Sequence, residues 1–401
     1  MPNKNKIIKH QFKRFNPIGA QELHAANKVI KSGKLSGFLA GSGKEFLGGK
    51  YVREFERKLQ SYFQVKYAIA VNSWTSGLVS AIGALSPKPG DEIILPTWTM
   101  SACAAAILNW KAIPIFCDIK IDDFTIDVKK AENLITKKTI AIIAVDLFGN
   151  PCDYKELINL KKNYKIKIIS DSAQAITAKY KNKYVSTFVD IGGFSFNRHK
   201  HINTGEGGVL ITNNKIYAKK LRLLRNHAES SLPPNNHEMT DMFGFNFRLG
   251  EIEAAIGIEQ LKKLKNIVNN RRVIAKNLTL GLQKLIGLNV PHESNLKKNV
   301  YYFYPMSLNK SLIKTDKKKI VYLLEKEGVQ GICSEYNSLH LLPIFKKKNS
   351  RSKKLFSVAE ELNNKTFIAI KLCLLSLDKN DVRLIIKAFE KVWKKLNFKS
   401  Q

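Results

Sequence analysis

The apolar positions between Tyr67 and Asn213 are grouped into seven short runs rich in valine and isoleucine. Several of these runs are almost continuously apolar, which is typical of strands covered on both faces. Stretches of helical character lie between the earlier runs, for example at Ser76–Leu85 and Ser101–Trp110. The seven runs are Tyr67–Val71, Glu92–Pro96, Ile113–Ile119, Thr139–Phe148, Ile166–Ser172, Ile191–Phe196 and Gly207–Asn213.

The order of these elements predicts the fold class. Strands that alternate with helices imply right-handed crossovers and therefore a mostly parallel sheet. The last two runs are joined too tightly for a helix to lie between them, so we expect one edge strand to be antiparallel. The predicted class is α/β, with a mostly parallel seven-stranded sheet between helices.

In the rest of the chain, the apolar residues mostly follow a helical spacing. From Leu249 to about Leu280, apolar residues recur at the spacing of one helical stripe, which predicts a long helix leaving the first domain. Beyond it, the pattern predicts a strand at Val300–Leu308 and helices at Lys317–Glu327 and Asp381–Leu396. These elements predict a second, smaller domain of the α+β class.

We therefore divide the chain into an N-terminal basic tail at residues 1–20, a large α/β domain at 21–265 and a small α+β domain at 266–401. A length of 401 residues is in keeping with such a large-plus-small pair. The sequence contains neither an internal repeat nor a low-complexity linker, so we expect the two domains to pack closely.

Composition excludes several classes of protein. Hydrophobic residues make up 44% of the chain, enough for sizeable cores. The sequence has no apolar stretch of membrane-spanning length, and its basic first residues lack the apolar core of a secretory signal. The five cysteines are scattered, which argues against a zinc site or a disulfide framework and fits a reducing cytoplasm. They are Cys103, Cys117, Cys152, Cys333 and Cys373.

A net charge of +34 is the one compositional outlier, and it has two interpretations. A basic protein can bind nucleic acid, an anionic membrane surface or acidic substrates. The lysines are, however, dispersed along the whole chain, and the local lysine runs lack the interleaved aromatic residues on which bases stack. We favour a lysine-rich surface without a nucleic-acid site.

Lys200 is the leading candidate for chemistry. It follows an apolar run and precedes a glycine-rich turn within the segment Phe194–Gly208. A lysine at a strand end beside a closely approaching backbone is placed to form a Schiff base with a carbonyl cofactor. The alternative is an ordinary solvated lysine, so the prediction depends on the other residues that a pyridoxal phosphate site needs.

Those residues occur at the ends of other predicted strands, where open parallel sheets bind ligands. Asp171 ends one run, and a carboxylate there can keep the pyridinium nitrogen of the cofactor protonated, although an aspartate at this junction can also cap the next helix. Alternation along the strand places the hydroxyl of Ser195 on the face opposite the flanking phenylalanine rings, where it suits a phosphate oxygen, although a serine within a strand can equally be a hydrogen-bonded filler. The junction Val71–Gly77 has free backbone N–H groups of the kind that bind phosphate.

These segments, taken in order, resemble the DegT/StrS-type sugar aminotransferases, which are pyridoxal-phosphate enzymes of the aspartate aminotransferase fold (fold type I). The resemblance runs from about Leu35 to Lys265 and continues more loosely to the C-terminus. The segments that carry it are Pro89–Pro96, Asp146–Asp153, Asp171–Ala175, Phe194–Gly208, Arg222–His227, Gly244–Arg248 and Glu253–Gly257.

The resemblance implies a role for each site residue, and it makes the large domain the cofactor-binding one. Lys200 would carry the internal aldimine and move the proton, and Asp171 would pair with the pyridinium nitrogen. Gln174 would lie near the oxygen substituent of the ring. The phosphate would be held by Ser195 together with Trp74 and Thr75. Asn246 would reach the cofactor of the partner subunit, which implies a homodimer with shared active sites.

The sequence also departs from the family pattern. The family commonly has glycine at the position of Trp74, and an aromatic residue that stacks on the pyridine at the position of Met100. Trp98 would share the face of Met100 in an extended segment, so it is a second candidate for covering the ring. His199 and His201 flank the lysine where small or polar residues are usual.

The function that the resemblance implies is transfer of an amino group from glutamate or glutamine to a keto group of a nucleotide-linked sugar. The mechanism would be ping-pong, with pyridoxal 5'-phosphate cycling through pyridoxamine 5'-phosphate, in a cytoplasmic enzyme of polysaccharide biosynthesis. One alternative is a pyridoxamine-phosphate-dependent 3-dehydratase, in which histidine replaces the lysine; the register places Lys200 there instead. The other is a basic regulatory or nucleic-acid-binding protein on an inactive scaffold.

Overall fold

The structure is a computed structural model that describes residues 6–41, 43–229, 242–346 and 356–398. Its strands, in chain order, are β1 (Lys13–Arg14), β2 (Tyr67–Val71), β3 (Glu92–Pro96), β4 (Ile113–Cys117), β5 (Thr139–Val145), β6 (Lys167–Asp171), β7 (Lys179–Tyr180), β8 (Lys183–Tyr184), β9 (Ile191–Ser195), β10 (Gly208–Thr212), β11 (Leu288–Asn289), β12 (Lys297–Lys298), β13 (Tyr304–Leu308), β14 (Ile332–Cys333), β15 (Phe367–Ile370) and β16 (Leu375–Ser376).

The α-helices are of very different lengths, from a single turn to 32 residues. In chain order they are α1 (Ala20–Ser32), α2 (Lys50–Phe63), α3 (Trp74–Ala84), α4 (Ser101–Asn109), α5 (Val128–Glu132), α6 (Tyr154–Tyr164), α7 (Lys215–Arg225), α8 (Glu251–Leu282), α9 (Lys317–Lys326), α10 (Pro343–Lys346), α11 (Ser357–Glu361) and α12 (Lys379–Trp393).

The seven predicted apolar runs form one sheet, in the order β2-β10-β9-β6-β5-β3-β4. All neighbouring pairs from β9 to β4 are parallel, and β10 is antiparallel to both β9 and β2. The predicted α/β class is therefore confirmed. The expectation that the antiparallel strand lies at an edge is wrong, because β2 pairs with the outer side of β10 and forms the edge itself.

Both faces of the sheet are buried, as the continuous apolar runs predict. Alternate residues of a strand point to opposite faces, and in β2 Ala68 belongs to one apolar cluster and Ile69 to the other. The first cluster contains the buried residues of α2, α6 and the first half of α8. The second contains those of α3, α4 and α7. This layering leaves the carboxyl ends of the parallel strands as the open edge of the sheet.

Helix α8 connects this sheet with a third apolar cluster near the C-terminus. At 1.5 Å per residue its 32 residues span about 48 Å. Its last turns pack with α9, α12 and the antiparallel sheet β11-β13-β15-β14. Ile8 and Phe12, which we assigned to the N-terminal tail, are buried in the same cluster. Residues 1–5 of that tail lie outside the described residues, and the division at residues 20 and 265 stays a prediction.

Among the described residues, none of the helices combines the length and apolar character needed to cross a membrane. All five cysteines carry free thiols, and four of them are buried.

Candidate functional site

A cavity of about 360 Å³ lies at the carboxyl ends of the parallel strands. The loops that follow β2, β3, β5, β6 and β9 form its walls, since the carboxyl ends of parallel strands meet at one edge of the sheet. Seven of the eight predicted site residues line it: Trp74, Thr75, Met100, Asp171, Gln174, Ser195 and Lys200.

Lys200 is deeply set in this cavity, with 8% of its surface exposed. Its backbone N–H donates to the carbonyl of Asn197, in the turn that follows β9. Burial lowers the pKa of Lys200 to about 8, although the negative charge of Asp171 acts in the opposite direction. The ammonium lies 4.7 Å from the ring centroid of Tyr302. At pH 7 about a tenth of the amine is therefore unprotonated, far more than for an ordinary lysine, and only this form acts as a nucleophile or proton acceptor.

Asp171 occupies the last position of β6 and is almost fully buried. Its Oδ1 accepts hydrogen bonds from the indole N–H of Trp74 at 2.7 Å and from the backbone N–H of Ala173 at 3.1 Å. The thiol of Cys103 donates to Oδ2 at 3.1 Å. Residues 172–178 form turns, so the alternative in which Asp171 caps a following helix is wrong.

The N-terminus of α3 supplies the groups that suit a phosphate. Ser73 caps this helix by accepting the N–H of Ser76 at 3.1 Å, and Trp74 is the first helical residue. The first N–H groups of a helix lack intrahelical partners and attract anions. The side chain of Trp74 instead turns inward to Asp171, so its backbone is the part available to a phosphate. Ser195 is buried beside this junction, and its hydroxyl accepts the N–H of Asn197 at 3.3 Å.

Gln174 is held by the loop that follows β5. Its amide oxygen accepts the N–H of Phe148 at 2.7 Å, and its side chain also hydrogen-bonds Tyr336. Tyr302 and Tyr336 both line the cavity, and sequence reasoning missed them. Both come from the part of the chain beyond α8, and no local pattern indicates that these segments fold over the sheet.

Met100 and Trp98 have different environments. Met100 is 64% exposed and lines the cavity. Trp98 is fully buried, and its indole N–H donates to the carbonyl of Tyr336 while its ring packs edge-on against Phe148 and Phe367. The suggestion that Trp98 covers the ring is wrong, because the chain bends after β3 and the two side chains do not share a face.

The two histidines beside the lysine also differ. His201 is fully buried, and its Nδ1 accepts a hydrogen bond from Arg271. Burial, reinforced by the charge of Arg271, holds the pKa of His201 well below its ordinary value, so this ring is a neutral structural acceptor. His199 is half-buried and lines the cavity. Burial and the neighbouring charges of Lys200 and Arg198 lower its pKa.

Asn246 is exposed and does not line this cavity. It forms an isolated antiparallel bridge with Asn226, and its carbonyl accepts the side-chain amide of Asn72 at 3.5 Å. Its position in one chain leaves the prediction of a contact with a partner subunit untested.

Comparison with known proteins identifies what this arrangement resembles. The model of the DegT/DnrJ/EryC1/StrS aminotransferase family matches residues 36–390. A GDP-perosamine synthase of Caulobacter vibrioides is 33% identical over 301 residues, which is 74% of this chain and 78% of that protein. A UDP-4-amino-4,6-dideoxy-N-acetyl-beta-L-altrosamine transaminase of Campylobacter jejuni is 35% identical over 304 residues, or 75% of this chain and 79% of the relative.

The fold has solved counterparts. The crystal structure of the aminotransferase from Psychrobacter cryohalolentis superposes with a TM-score of 0.86 at 26% identity, and the match covers 96% of this chain and all of that one. The large sheet and the smaller antiparallel sheet therefore belong to a known architecture, the fold type I of pyridoxal-phosphate enzymes.

Proposed function

This chain belongs to the DegT/DnrJ/EryC1/StrS aminotransferase family and is a pyridoxal-phosphate-dependent sugar aminotransferase, and we propose that its acceptor is a keto sugar linked to a nucleotide. The observation that carries the assignment of the site is a buried lysine, with a pKa of about 8, in the same cavity as a buried carboxylate. The acceptor class rests on the GDP- and UDP-sugar names of the two relatives.

The residues of the cavity fit the cofactor group by group. Pyridoxal phosphate, when bound, supplies an aldehyde that condenses with amines, an electron-withdrawing pyridinium and a phosphate anchor. Lys200 provides the amine and Asp171 the carboxylate for the ring nitrogen. The first N–H groups of α3 and the hydroxyl of Ser195 provide donors for phosphate oxygens. Gln174 and Met100 would lie beside the ring, since both also line the cavity.

Lys200 would perform the proton transfers of the reaction. Its lowered pKa means that the same amine can accept a proton and return it near neutral pH. The ring of Tyr302 confines the ammonium to the cavity, since a cation over an aromatic face is held electrostatically. Asp171 would keep a proton on the ring nitrogen, which maintains the ring as an acceptor of electrons.

We propose a ping-pong sequence, because both half-reactions would use this cavity and the product of the donor would have to leave before the sugar enters. We propose glutamate or glutamine as the donor.

We also propose a homodimer in which Asn246 contacts the cofactor of the partner subunit. The exposure of Asn246 and its position outside the cavity of its own chain support this. A cytoplasmic location remains our proposal as well, supported by the free thiols.

The test uses the full chain loaded with pyridoxal phosphate, reduced with borohydride and digested. We expect the mass label on the peptide that contains Lys200. Nucleotide-linked keto sugars are then screened with glutamate and with glutamine, and Lys200→Ala should abolish turnover whereas Lys183→Ala, at an exposed position, should not.

Three results would contradict the proposal. Normal turnover by Lys200→Ala would remove this lysine from the reaction. Loss of a hydroxyl from the sugar without amination would favour the dehydratase. A protein that takes up no cofactor and binds DNA with a steep salt dependence would favour the inactive scaffold.

A further inference from the structure

We propose that Trp74 and Cys103 are positioning residues, which aim the Asp171 carboxylate at the cofactor's ring nitrogen. This inference rests on the proposed role of Asp171. Neither residue needs to touch the substrate, since both act through the carboxylate.

The indole of Trp74 lies in a slot beside two glycines, Gly77 and Gly193. A Cβ atom added at Gly77 would lie 2.7 Å from the six-membered ring of the indole, and one added at Gly193 would lie 2.3 Å from it. Gly77 belongs to α3 and Gly193 to β9, so two separate elements leave room for the same ring. Any larger residue at Gly193 would also clash with the carbonyl of Val209, at 2.0 Å.

Three donors converge on the carboxylate from the protein side. The indole N–H and the N–H of Ala173 share Oδ1, and the thiol of Cys103 reaches Oδ2. Trp74 begins α3 and Cys103 lies in the first turn of α4, two helices that cover the same face of the sheet. Burial, reinforced by the charge of Asp171, raises the pKa of the Cys103 thiol well above its ordinary value, so the sulfur keeps its proton and remains a donor.

Asp171 lines the cavity, and the side chains of Trp74 in α3 and Cys103 in α4 each donate to one of its oxygens. The carboxylate therefore cannot rotate without breaking a hydrogen bond. A carboxylate fixed in this direction would hold the proton of the ring nitrogen opposite it, where an electron-accepting ring needs that proton.

The test compares two ligands that differ only at the ring nitrogen. The full chain, freed of cofactor, is titrated with pyridoxal phosphate and with the analogue in which a C–H group replaces that nitrogen. We expect Trp74→Phe, which keeps an aromatic ring in the slot, to weaken binding of pyridoxal phosphate about tenfold, the scale of one hydrogen bond to a charged group. Binding of the analogue should change by less than about twofold, because it makes no contact of this kind.

Trp110→Phe is the matched control. The indole N–H of Trp110 donates to the carbonyl of Val79 at 2.8 Å, away from Asp171, so this variant loses a comparable hydrogen bond and should bind both ligands as the wild type does. If Trp74→Phe folds poorly, replacement of Trp74 by β-(3-benzothienyl)alanine keeps the shape and removes only the N–H. Cys103→Ser keeps a donor and should bind normally, whereas Cys103→Ala should follow Trp74→Phe.

The outcomes separate the possible explanations. Equal weakening of both ligands would overturn the proposal, since Trp74 would then only fill space, and so would unchanged binding of both. A wild type that binds the two ligands equally well would instead refute the pairing of Asp171 with the ring nitrogen. Absence of any binding would refute the proposed function itself.

Discussion

Replacing Lys200 by methionine should make the cofactor-free protein more stable, although it destroys the reaction. Burial lowers the pKa of Lys200 from its ordinary 10.5 to about 8. At about 1.36 kcal/mol per pH unit, this difference corresponds to roughly 3 kcal/mol of unfavourable free energy for holding the ammonium in the cavity. Methionine has a similar length and carries no charge, so it fills the same space without that cost.

The sign of the effect follows from proton linkage. Below pH 8 the lysine is protonated in both the folded and the unfolded chain, and the full cost is present. Between about pH 8 and 10.5 the unfolded chain binds more protons than the folded one, so the contribution of Lys200 to the free energy of unfolding rises with pH. Lys200→Met should therefore gain most at pH 7 and lose its advantage toward pH 10.

Urea unfolding of the cofactor-free chain at pH 7 and pH 9.5 measures this difference, because bound cofactor would stabilise the wild type and the variant to different extents. Lys183→Met is the control, because Lys183 is exposed and its replacement should leave the stability unchanged at both pH values. A Lys200→Met protein that is less stable than the wild type at pH 7 would refute the reasoning.

Three further predictions concern buried carboxylates on or beside the large sheet. Asp171→Asn should lower turnover by several orders of magnitude, since a ring nitrogen without its anionic partner loses its proton. Steady-state kinetics with saturating cofactor measure this. A rate near that of the wild type would remove Asp171 from its role. Burial raises the pKa of Asp146 to about 6, so its contribution to the free energy of unfolding falls as the pH rises from about 4 to 6. Asp146→Asn should remove this fall, about 3 kcal/mol, when the free energy of unfolding is measured in urea at several pH values. Glu56→Gln should destabilise the protein by about 3–5 kcal/mol in thermal or urea unfolding, because it leaves the buried guanidinium of Arg225 unpaired; an unchanged transition would show that this pair contributes nothing.

The sequence predicts those parts of the fold that are encoded locally. The seven runs became the seven strands of the sheet because continuous apolar character reflects burial on both faces. The position of β10 beside β2 could not be predicted, since pairing between strands far apart in sequence leaves no local pattern. The same limit applies to Ile8 and Phe12, whose burial depends on elements more than 250 residues further along the chain.

In the candidate site, too, the residues encoded by a local pattern were predicted and those brought in by long-range packing were not. Asp171 and Ser195 were found because residues that end parallel strands meet at one edge of the sheet. Tyr302 and Tyr336 were missed because they reach the cavity only through the packing of the second part of the chain over the first. The sequence did not show which of Met100 and Trp98 lines the cavity, since alternation along a strand predicts side-chain directions only while the backbone stays extended.

Trp74 departs from the family pattern without obstructing the start of α3. A tryptophan in place of glycine would be expected to fill the space where a phosphate could approach the backbone. Its ring points instead into the slot beside Gly77 and Gly193. The backbone therefore remains available at the start of α3, and the side chain gains a contact with Asp171. We conclude that the glycines facing a substituted position decide whether a bulky residue blocks a site or supports it.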